Sequence, residues 1–181
     1  MDCESVRGYN HTVLVPENQF CLRHGVYAVI INCLDVLLVP LRSSGLLFLP
    51  GGGVEDRESS EAALTREIKE ETGIEVNIIE HVYSKRIHFV YDPPWCGRYF
   101  AADQTTDVFL CSPQGGRLIQ EDEGDPEEES LPATWHRIDE LKPEMMQSWW
   151  VLQSIYAAKA AFDARFAPAV FIGPEDSSPA P

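Results

Sequence analysis

Apolar residues along the chain recur in two patterns, one typical of strands and one typical of helices. Residues 25–31 are rich in β-branched side chains and predict a central strand, and residues 36–41 repeat that pattern. The turn-forming segment 32–35 between them predicts a hairpin. Further strands are predicted for four segments: 46–49, 74–90 (one long or broken strand), 106–111 and 135–138.

Two segments show helical spacing instead. The first covers residues 60–72, with Ser59 or Ser60 available as N-cap and Gly73 placed to end the helix in a left-handed turn. The second covers residues 145–165, where Met and Trp side chains recur at helical intervals. We expect those side chains to pack in the core rather than to bind a ligand.

The 181 residues fit one domain with extensions. Residues 1–23 have low periodicity and are predicted to be a lead-in, 24–166 to be the folded domain and 167–181 to be a disordered tail. The sequence DPPWCG at 92–97 is expected to interrupt a strand ladder, because proline lacks the N–H donor. The glycines at 51–53 are expected to end the preceding strand with flexible backbone.

The chain is strongly acidic, with 29 Asp and Glu residues against 14 Lys and Arg residues and a formal net charge of −15. Nucleic acid polymers and anionic membranes bind through clusters of Lys and Arg, and the sequence has only short pairs such as Lys85 and Arg86. We therefore expect neither as a partner. A substrate that carries phosphates would need divalent cations to bridge it to the protein.

The five cysteines are widely spaced, odd in number and without a CxxC pair, so they predict neither a disulfide framework nor a zinc site. The first residues lack the long apolar core of a secretory signal. The longest apolar run, 26–31, is too short to span a bilayer. We therefore expect a cytoplasmic protein without a membrane segment.

Three carboxylates fall on one face of the first predicted helix. At about 100° per residue, Glu67, Glu70 and Glu71 share that face. Like charges at such spacings destabilise an isolated helix by about 0.2–0.5 kcal/mol per pair, so a structural role alone does not explain them. Mg²⁺ or Mn²⁺ would remove the repulsion and prefers such oxygen ligands. Arg66 can pair with Glu70 and can reach Glu58, which predicts that it fixes carboxylate orientation.

The opposite side of the same helix is apolar. Leu64 and Ile68 are i,i+4 partners and are expected to anchor the helix to the sheet. Ala63, one turn before Glu67, is expected to keep a cleft open beside the carboxylates. The pattern thus predicts a helix with one buried face and one chemically active face.

Residues 52–74 together resemble the Nudix box, whose pattern is G-x5-E-x7-R-E-U-x-E-E-x-G-U with U aliphatic. A closing W-x-x-U-D-E-L at 135–141 and the flanking strands are also similar to that family. The resemblance implies an α/β fold, the Nudix-type α/β/α sandwich with a mixed β-sheet between helices. Every fixed position of the box is matched in register, by Gly52, Glu58, Arg66, Glu67, Ile68, Glu70, Glu71, Gly73 and Ile74.

The resemblance also implies roles for these residues. Glu70 and Glu71 resemble the metal-binding pair, and Glu67 resembles a metal ligand or the general base. The carbonyl of Gly51 resembles a further ligand. The implied cofactor is Mg²⁺ or Mn²⁺.

Other residues resemble supporting parts of the family's site. Gly52, Glu58 and Arg66 look like residues that hold the carboxylates in place. Family members often add a glutamate from a loop before the closing tryptophan. In this sequence three consecutive glutamates crowd that stretch, and Glu128 is the one we favour as a further metal ligand.

By resemblance, the implied activity is hydrolysis of a phosphoanhydride bond in a nucleoside diphosphate linked to another moiety X. Water attacks phosphorus and releases a nucleoside monophosphate and phosphorylated X. Candidate small-molecule substrates include oxidised nucleoside triphosphates, nucleotide sugars and dinucleotides. The alternative is a catalytically silent nucleotide-sensing module, although an intact box argues against it. The sequence predicts neither X nor the oligomeric state.

One stretch after the box mixes basic and aromatic side chains. Arg86 and Trp95 in it are our candidates for contacts with substrate phosphate and base, the alternative being an exposed strand and loop. His24, His81 and His136 are scattered in the sequence, and we expect them to be structural or surface residues. No Ser-His-Asp set can be assembled from spacing.

Overall fold

The protein is described by a computed structural model, which covers residues 2–7, 11–16, 20–95, 99–120 and 130–166. Two α-helices and nine strands are described. The helices are α1 (Ser60–Thr72) and α2 (Trp149–Phe166). The strands are β1 (Asp2–Arg7), β2 (His11–Pro16), β3 (Phe20–Asn32), β4 (Asp35–Pro40), β5 (Leu47–Phe48), β6 (Gly51–Gly53), β7 (Ile74–Trp95), β8 (Tyr99–Gly116) and β9 (Thr134–Arg137).

Seven of these strands form one mixed sheet in the order β5-β4-β3-β8-β7, with β6 paired to β3 and β9 paired to β4. The β3 and β8 strands run parallel, and the other pairs are antiparallel. The predicted hairpin is confirmed, because Asn32 pairs with Asp35 across its turn. The sheet thus joins segments that lie far apart in the sequence.

Alternate residues of β3 face two different helical layers, as expected for a strand that is buried on both sides. Val26, Ala28 and Ile30 pack in the core cluster that contains the apolar face of α1. Val29 and Ile31 pack in the cluster that contains α2. The mixed sheet lies between the two helices, so the predicted α/β/α sandwich is confirmed.

The N-terminal region differs from the predicted lead-in. The β1 and β2 strands pair with each other as a separate antiparallel hairpin, and β3 already begins at Phe20. Arg23 and His24 interrupt the apolar pattern, yet the backbone there pairs in parallel with β8. Main-chain hydrogen bonds with β8 therefore extend β3 toward its N-terminus, beyond the apolar run that predicted the strand.

Two further segments are more extended than predicted. Gly51–Gly53 pairs with β3 as a short strand instead of forming only a loop. The expected interruption at 92–97 takes the form of a register shift between Val90 and Trp95, and the strand continues to Trp95. The tail 167–181 lies outside the described residues. No helix among the described residues is long and apolar enough to cross a membrane.

Candidate active site

Helix α1 is fixed at both ends by its own sequence. The side chain of Ser59 accepts a hydrogen bond from the backbone N–H of Ala62 at 3.2 Å, which caps the first turn. Gly73 adopts a left-handed conformation with φ 76°, and its N–H donates to the carbonyl of Lys69. These caps confirm the predicted boundaries of the helix.

The apolar face of α1 packs on the sheet through side chains that are fully buried. Leu64 and Ile68 are buried as predicted. Ala63 is also fully buried in the same cluster, so it packs against the sheet and does not line a cleft. That expectation was wrong, because Ala63 lies one turn before Glu67 but is turned toward the core by the helical rotation.

Arg66 connects the carboxylates of the predicted site. Its guanidinium donates to both carboxylate oxygens of Glu58, from Nε at 3.0 Å and from Nη2 at 2.9 Å. Its Nη1 donates to Glu67 at 2.8 Å and more weakly to Glu70 at 3.4 Å. Its Nη2 also donates to the carbonyl of Gly53 at 3.2 Å, which ties the helix to β6. The predicted pairs of Arg66 with Glu58 and Glu70 are therefore present.

These contacts change the protonation equilibria of the paired groups. The hydrogen bond from Arg66 lowers the pKa of Glu58 below its ordinary value. In return, the hydrogen bonds to Glu58 and then to Glu67 raise the pKa of Arg66. Glu58 and Arg66 are therefore both charged at neutral pH and form an ion pair beside the carboxylate face.

Two glycines before the helix make room for the carboxylates. A Cβ placed on Gly52 would lie 2.4 Å from the carboxylate carbon of Glu67, so any larger residue there would displace that side chain. Gly51 has φ 138° and its N–H donates to Oε2 of Glu71 at 2.9 Å. The backbone of β6 therefore lies directly against the carboxylates of Glu67 and Glu71.

Glu70 and Glu71 are adjacent in sequence but differ in their surroundings. The Glu70 side chain is 62% exposed, and its contact with Arg66 is long, at 3.4 Å. Glu71 is half-buried, and its second oxygen, Oε1, accepts a hydrogen bond from the hydroxyl of Ser130. Sequence reasoning missed Ser130, because 59 positions separate it from Glu71 and it belongs to no motif.

The donors of this site have the chemistry that Mg²⁺ or Mn²⁺ prefers. Glu67, Glu70 and Glu71 offer carboxylate oxygens, and the adjacent glycine backbone offers carbonyl oxygens. Within the described parts of the chain, however, no group of three or more His, Cys, Asp or Glu side chains is spaced to hold a metal ion. Glu67 and Glu70 instead contact Arg66, so the donor set fits a hard cation chemically, but these two side chains would have to reorient to bind it together with Glu71.

The other predicted site residues lie elsewhere or outside the described residues. Arg86 forms an ion pair with Asp103 on the neighbouring strand, with Nε 2.6 Å from Oδ1. This hydrogen bond lowers the pKa of Asp103. Trp95 ends β7, and its side chain is not among those described. Glu128 lies in the segment 121–129, outside the described residues. The roles predicted for these three stay predictions.

Two histidines that look scattered in the sequence meet on one carboxylate. Nε2 of His24 lies 2.8 Å from Oδ2 of Asp107, and Nε2 of His81 lies 3.0 Å from Oδ1. They come from β3 and β7, which flank β8 on either side. Strand order alone brings them together, so no local pattern could have indicated the group.

Comparisons with known proteins agree with the fold and the motif. The family model described as NUDIX domain matches residues 22–155. A Caenorhabditis elegans protein named as nudix hydrolase 1 is 35% identical over 103 residues, which are 57% of this chain and 24% of that protein. The chain therefore spans about a quarter of the length of the curated relative that it matches.

Solved structures show the same architecture. A Streptococcus suis ADP-ribose pyrophosphatase has a TM-score of 0.54 at 22% identity, with 77% of this chain and 91% of that chain covered. A NUDIX hydrolase from Nitrosomonas europaea has a TM-score of 0.53 at 27% identity, with 78% of this chain and 90% of that chain covered. The likeness to the first of these establishes the fold alone.

Proposed function

Because the chain belongs to the NUDIX domain family, we propose that it is a hydrolase of phosphoanhydride bonds. Its substrate is a nucleoside diphosphate linked to another moiety X, and its cofactor is Mg²⁺ or Mn²⁺. The observation that carries the proposal is the contact of Arg66 with Glu58, Glu67 and Glu70, which joins β6, the loop after it and helix α1 into one charged site.

The residues that would hold the cation are Glu67, Glu70, Glu71 and the carbonyl of Gly51, with Glu128 as a further candidate. When bound, the cation would neutralise the diphosphate and favour deprotonation of the attacking water. The need for it follows from the charge of the chain, since a protein of net charge −15 repels a polyanionic substrate.

The chain's own residues orient the reaction. Arg66 holds Glu58 in a two-point contact and keeps Glu67 against Gly52, so these carboxylates have little rotational freedom. A carboxylate of this face accepts the proton of the attacking water, for which Glu67 is the candidate that the family pattern suggests. Holding the acceptor in a fixed position reduces the reorganisation that the reaction requires.

The identity of X follows less directly. The Streptococcus suis structure is named an ADP-ribose pyrophosphatase, and on that basis we include ADP-ribose in the substrate class to be tested. Arg86 and Trp95 remain our candidates for substrate contacts. In this structure Arg86 is paired with Asp103, so a substrate phosphate would have to compete with that carboxylate.

We also propose a cytoplasmic location. The cysteines that the structure describes, Cys21, Cys33 and Cys111, are free thiols, which a reducing compartment would keep reduced. Small-molecule nucleotides, rather than nucleic acid polymers, are the proposed partners. Fractionation of cells that express the full chain would test the location directly.

The test of the reaction is a panel assay of canonical and oxidised nucleotides, nucleotide sugars, NADH, ADP-ribose and dinucleoside polyphosphates. Each substrate is assayed with Mg²⁺, with Mn²⁺ and with a chelator. We expect hydrolysis of at least one diphosphate substrate that the chelator abolishes. In the double variant Glu70→Gln/Glu71→Gln, turnover should fall by about 100-fold or more.

Glu61→Gln is the matched control, because Glu61 is exposed in the first turn of the same helix and occupies a variable position of the box. It should keep wild-type turnover. If the double variant keeps full metal-dependent turnover, the proposed site is wrong. If nucleotides bind to the wild type and none is hydrolysed, the chain is a nucleotide-sensing module instead.

A further inference from the structure

Both oxygens of the Glu71 carboxylate accept hydrogen bonds from donors that lie outside helix α1. The backbone N–H of Gly51 donates to Oε2 at 2.9 Å, and the hydroxyl of Ser130 donates to Oε1. Glu70, next to it, has a 62% exposed side chain and a 3.4 Å contact to Arg66. Two adjacent carboxylates therefore differ in how strongly their orientation is fixed.

The position of Ser130 is itself fixed by the sheet. Its backbone forms an antiparallel bridge with Leu41, just after the end of β4. The N–H of the next residue, Leu131, donates to the carbonyl of Pro40 at 2.8 Å. The bridge at Leu41 and the hydrogen bond of Leu131 thus hold the Ser130 backbone against the end of β4, where its hydroxyl reaches Glu71.

We propose that Ser130 is a positioning residue, which orients the Glu71 carboxylate for cation binding. The inference rests on the proposed function, because it assigns Glu71 to the cation. Each carboxylate oxygen has two lone pairs, so an oxygen that accepts a hydrogen bond can also coordinate a cation. Fixing both oxygens removes the rotation of the carboxylate that binding would otherwise have to freeze.

Outer hydrogen bonds of this kind govern metal affinity in other proteins, where their loss typically weakens binding or activity by about 10–100-fold. Ser130 lies outside the box and acts through Glu71, without a proposed contact to the substrate. Its contribution should therefore be found in the affinity for the cation and not in the affinity for the substrate.

The experiment compares wild type, Ser130→Ala and Ser130→Thr. Binding of Mn²⁺ is measured by electron paramagnetic resonance in the absence of substrate, and the concentration of Mg²⁺ that gives half-maximal turnover is measured separately. We expect Ser130→Ala to weaken Mn²⁺ binding and raise the half-maximal Mg²⁺ concentration by about tenfold. The Michaelis constant at saturating Mg²⁺ should stay unchanged. Ser130→Thr keeps the hydroxyl and should restore both values.

Ser44→Ala is the matched control, because the hydroxyl of Ser44 donates to Gln147 at 3.2 Å on an exposed surface and not to the site. It should bind Mn²⁺ as the wild type does. Thermal unfolding of all variants separates positioning from folding, since a structural role would lower the melting temperature of Ser130→Ala in parallel with its affinity.

Two results would overturn the inference: Mn²⁺ affinity unchanged in Ser130→Ala, or Ser130→Thr as weak as Ser130→Ala. Hydrolysis by the wild type with either result leaves the proposed function standing. Conversely, a Ser130 effect on Mn²⁺ binding without hydrolysis of any substrate would retain the inference and refute the reaction. A wild type that binds no Mn²⁺ refutes both.

Discussion

The two helices lie on opposite faces of one sheet and are held in place differently. Helix α1 buries four residues, which are Ala63, Leu64, Ile68 and Thr72. Its two ends are held by caps, and its polar face is held by charged contacts. Helix α2 buries six residues, which are Trp150, Val151, Leu152, Ser154, Ile155 and Ala158. Trp150 also packs with the rings of Tyr27 and Phe48 at centroid distances of 5.7 and 5.4 Å.

This difference predicts that the stability of the fold depends mainly on the α2 side of the sheet and that turnover depends on the α1 side. Apolar burial contributes most of the free energy of folding, so the α2 side of the sheet should dominate stability. The α1 side has fewer buried side chains, and its polar face is organised around Arg66. Substitutions on the two sides should therefore fail in different ways, one by unfolding and the other by loss of turnover in a folded protein.

The largest expected effect is on the α2 side. Ile155→Ala removes a fully buried side chain from the cluster that contains α2 and should lower the free energy of unfolding by about 2–5 kcal/mol. Tyr156→Ala, next to it but 50% exposed, is the control and should change stability by less than about 0.5 kcal/mol. Chemical denaturation measures both. Equal stability of the two variants would contradict the stabilising role of Ile155 burial on the α2 side.

The next effect is on the α1 side. Arg66→Ala frees Glu58 and Glu67 from their common partner and should lower turnover by about 10–100-fold while the protein stays folded. Arg66→Lys should recover little, because an ammonium cannot reproduce the two-point contact of the guanidinium. Steady-state kinetics and circular dichroism test this together. Wild-type turnover in Arg66→Ala would mean that the contacts of Arg66 with Glu58 and Glu67 have no part in the reaction.

The smallest effect concerns pH. The folded-state pKa of Glu58 lies below its ordinary value of 4.5, so the Arg66 contact stabilises the protein above pH 4.5. That contribution is lost as the pH falls through the lowered pKa. Glu58→Gln should be less stable at neutral pH and should lose less stability on acidification below pH 4.5. Melting temperatures across that range measure it, and curves that run parallel to the wild type would contradict it.

Local patterns in the sequence predicted the elements whose signals lie within a few residues. Helix α1 was predicted with its observed bounds, because the cap at Ser59 and the left-handed Gly73 each act over three or four positions. The contacts of Arg66 with Glu58 and Glu70 followed from helical spacing and chain proximity. The start of β3 at Phe20 was missed, because Phe20 pairs with the distant Ala101 through the backbone. The N-terminal hairpin pairs locally and was missed because that segment has low apolar periodicity.

By itself, the sequence determined which helix carries the carboxylates, which of its faces is apolar and which reaction class the box resembles. Only the tertiary structure decided how those carboxylates are held. The hydroxyl of Ser130 meets Glu71 on helix α1, and His24 and His81 meet Asp107 across paired strands, between residues that lie 26 to 83 positions apart. A helix repeats every 3.6 residues and is therefore readable locally, whereas strand order is set by the packing of the whole sheet.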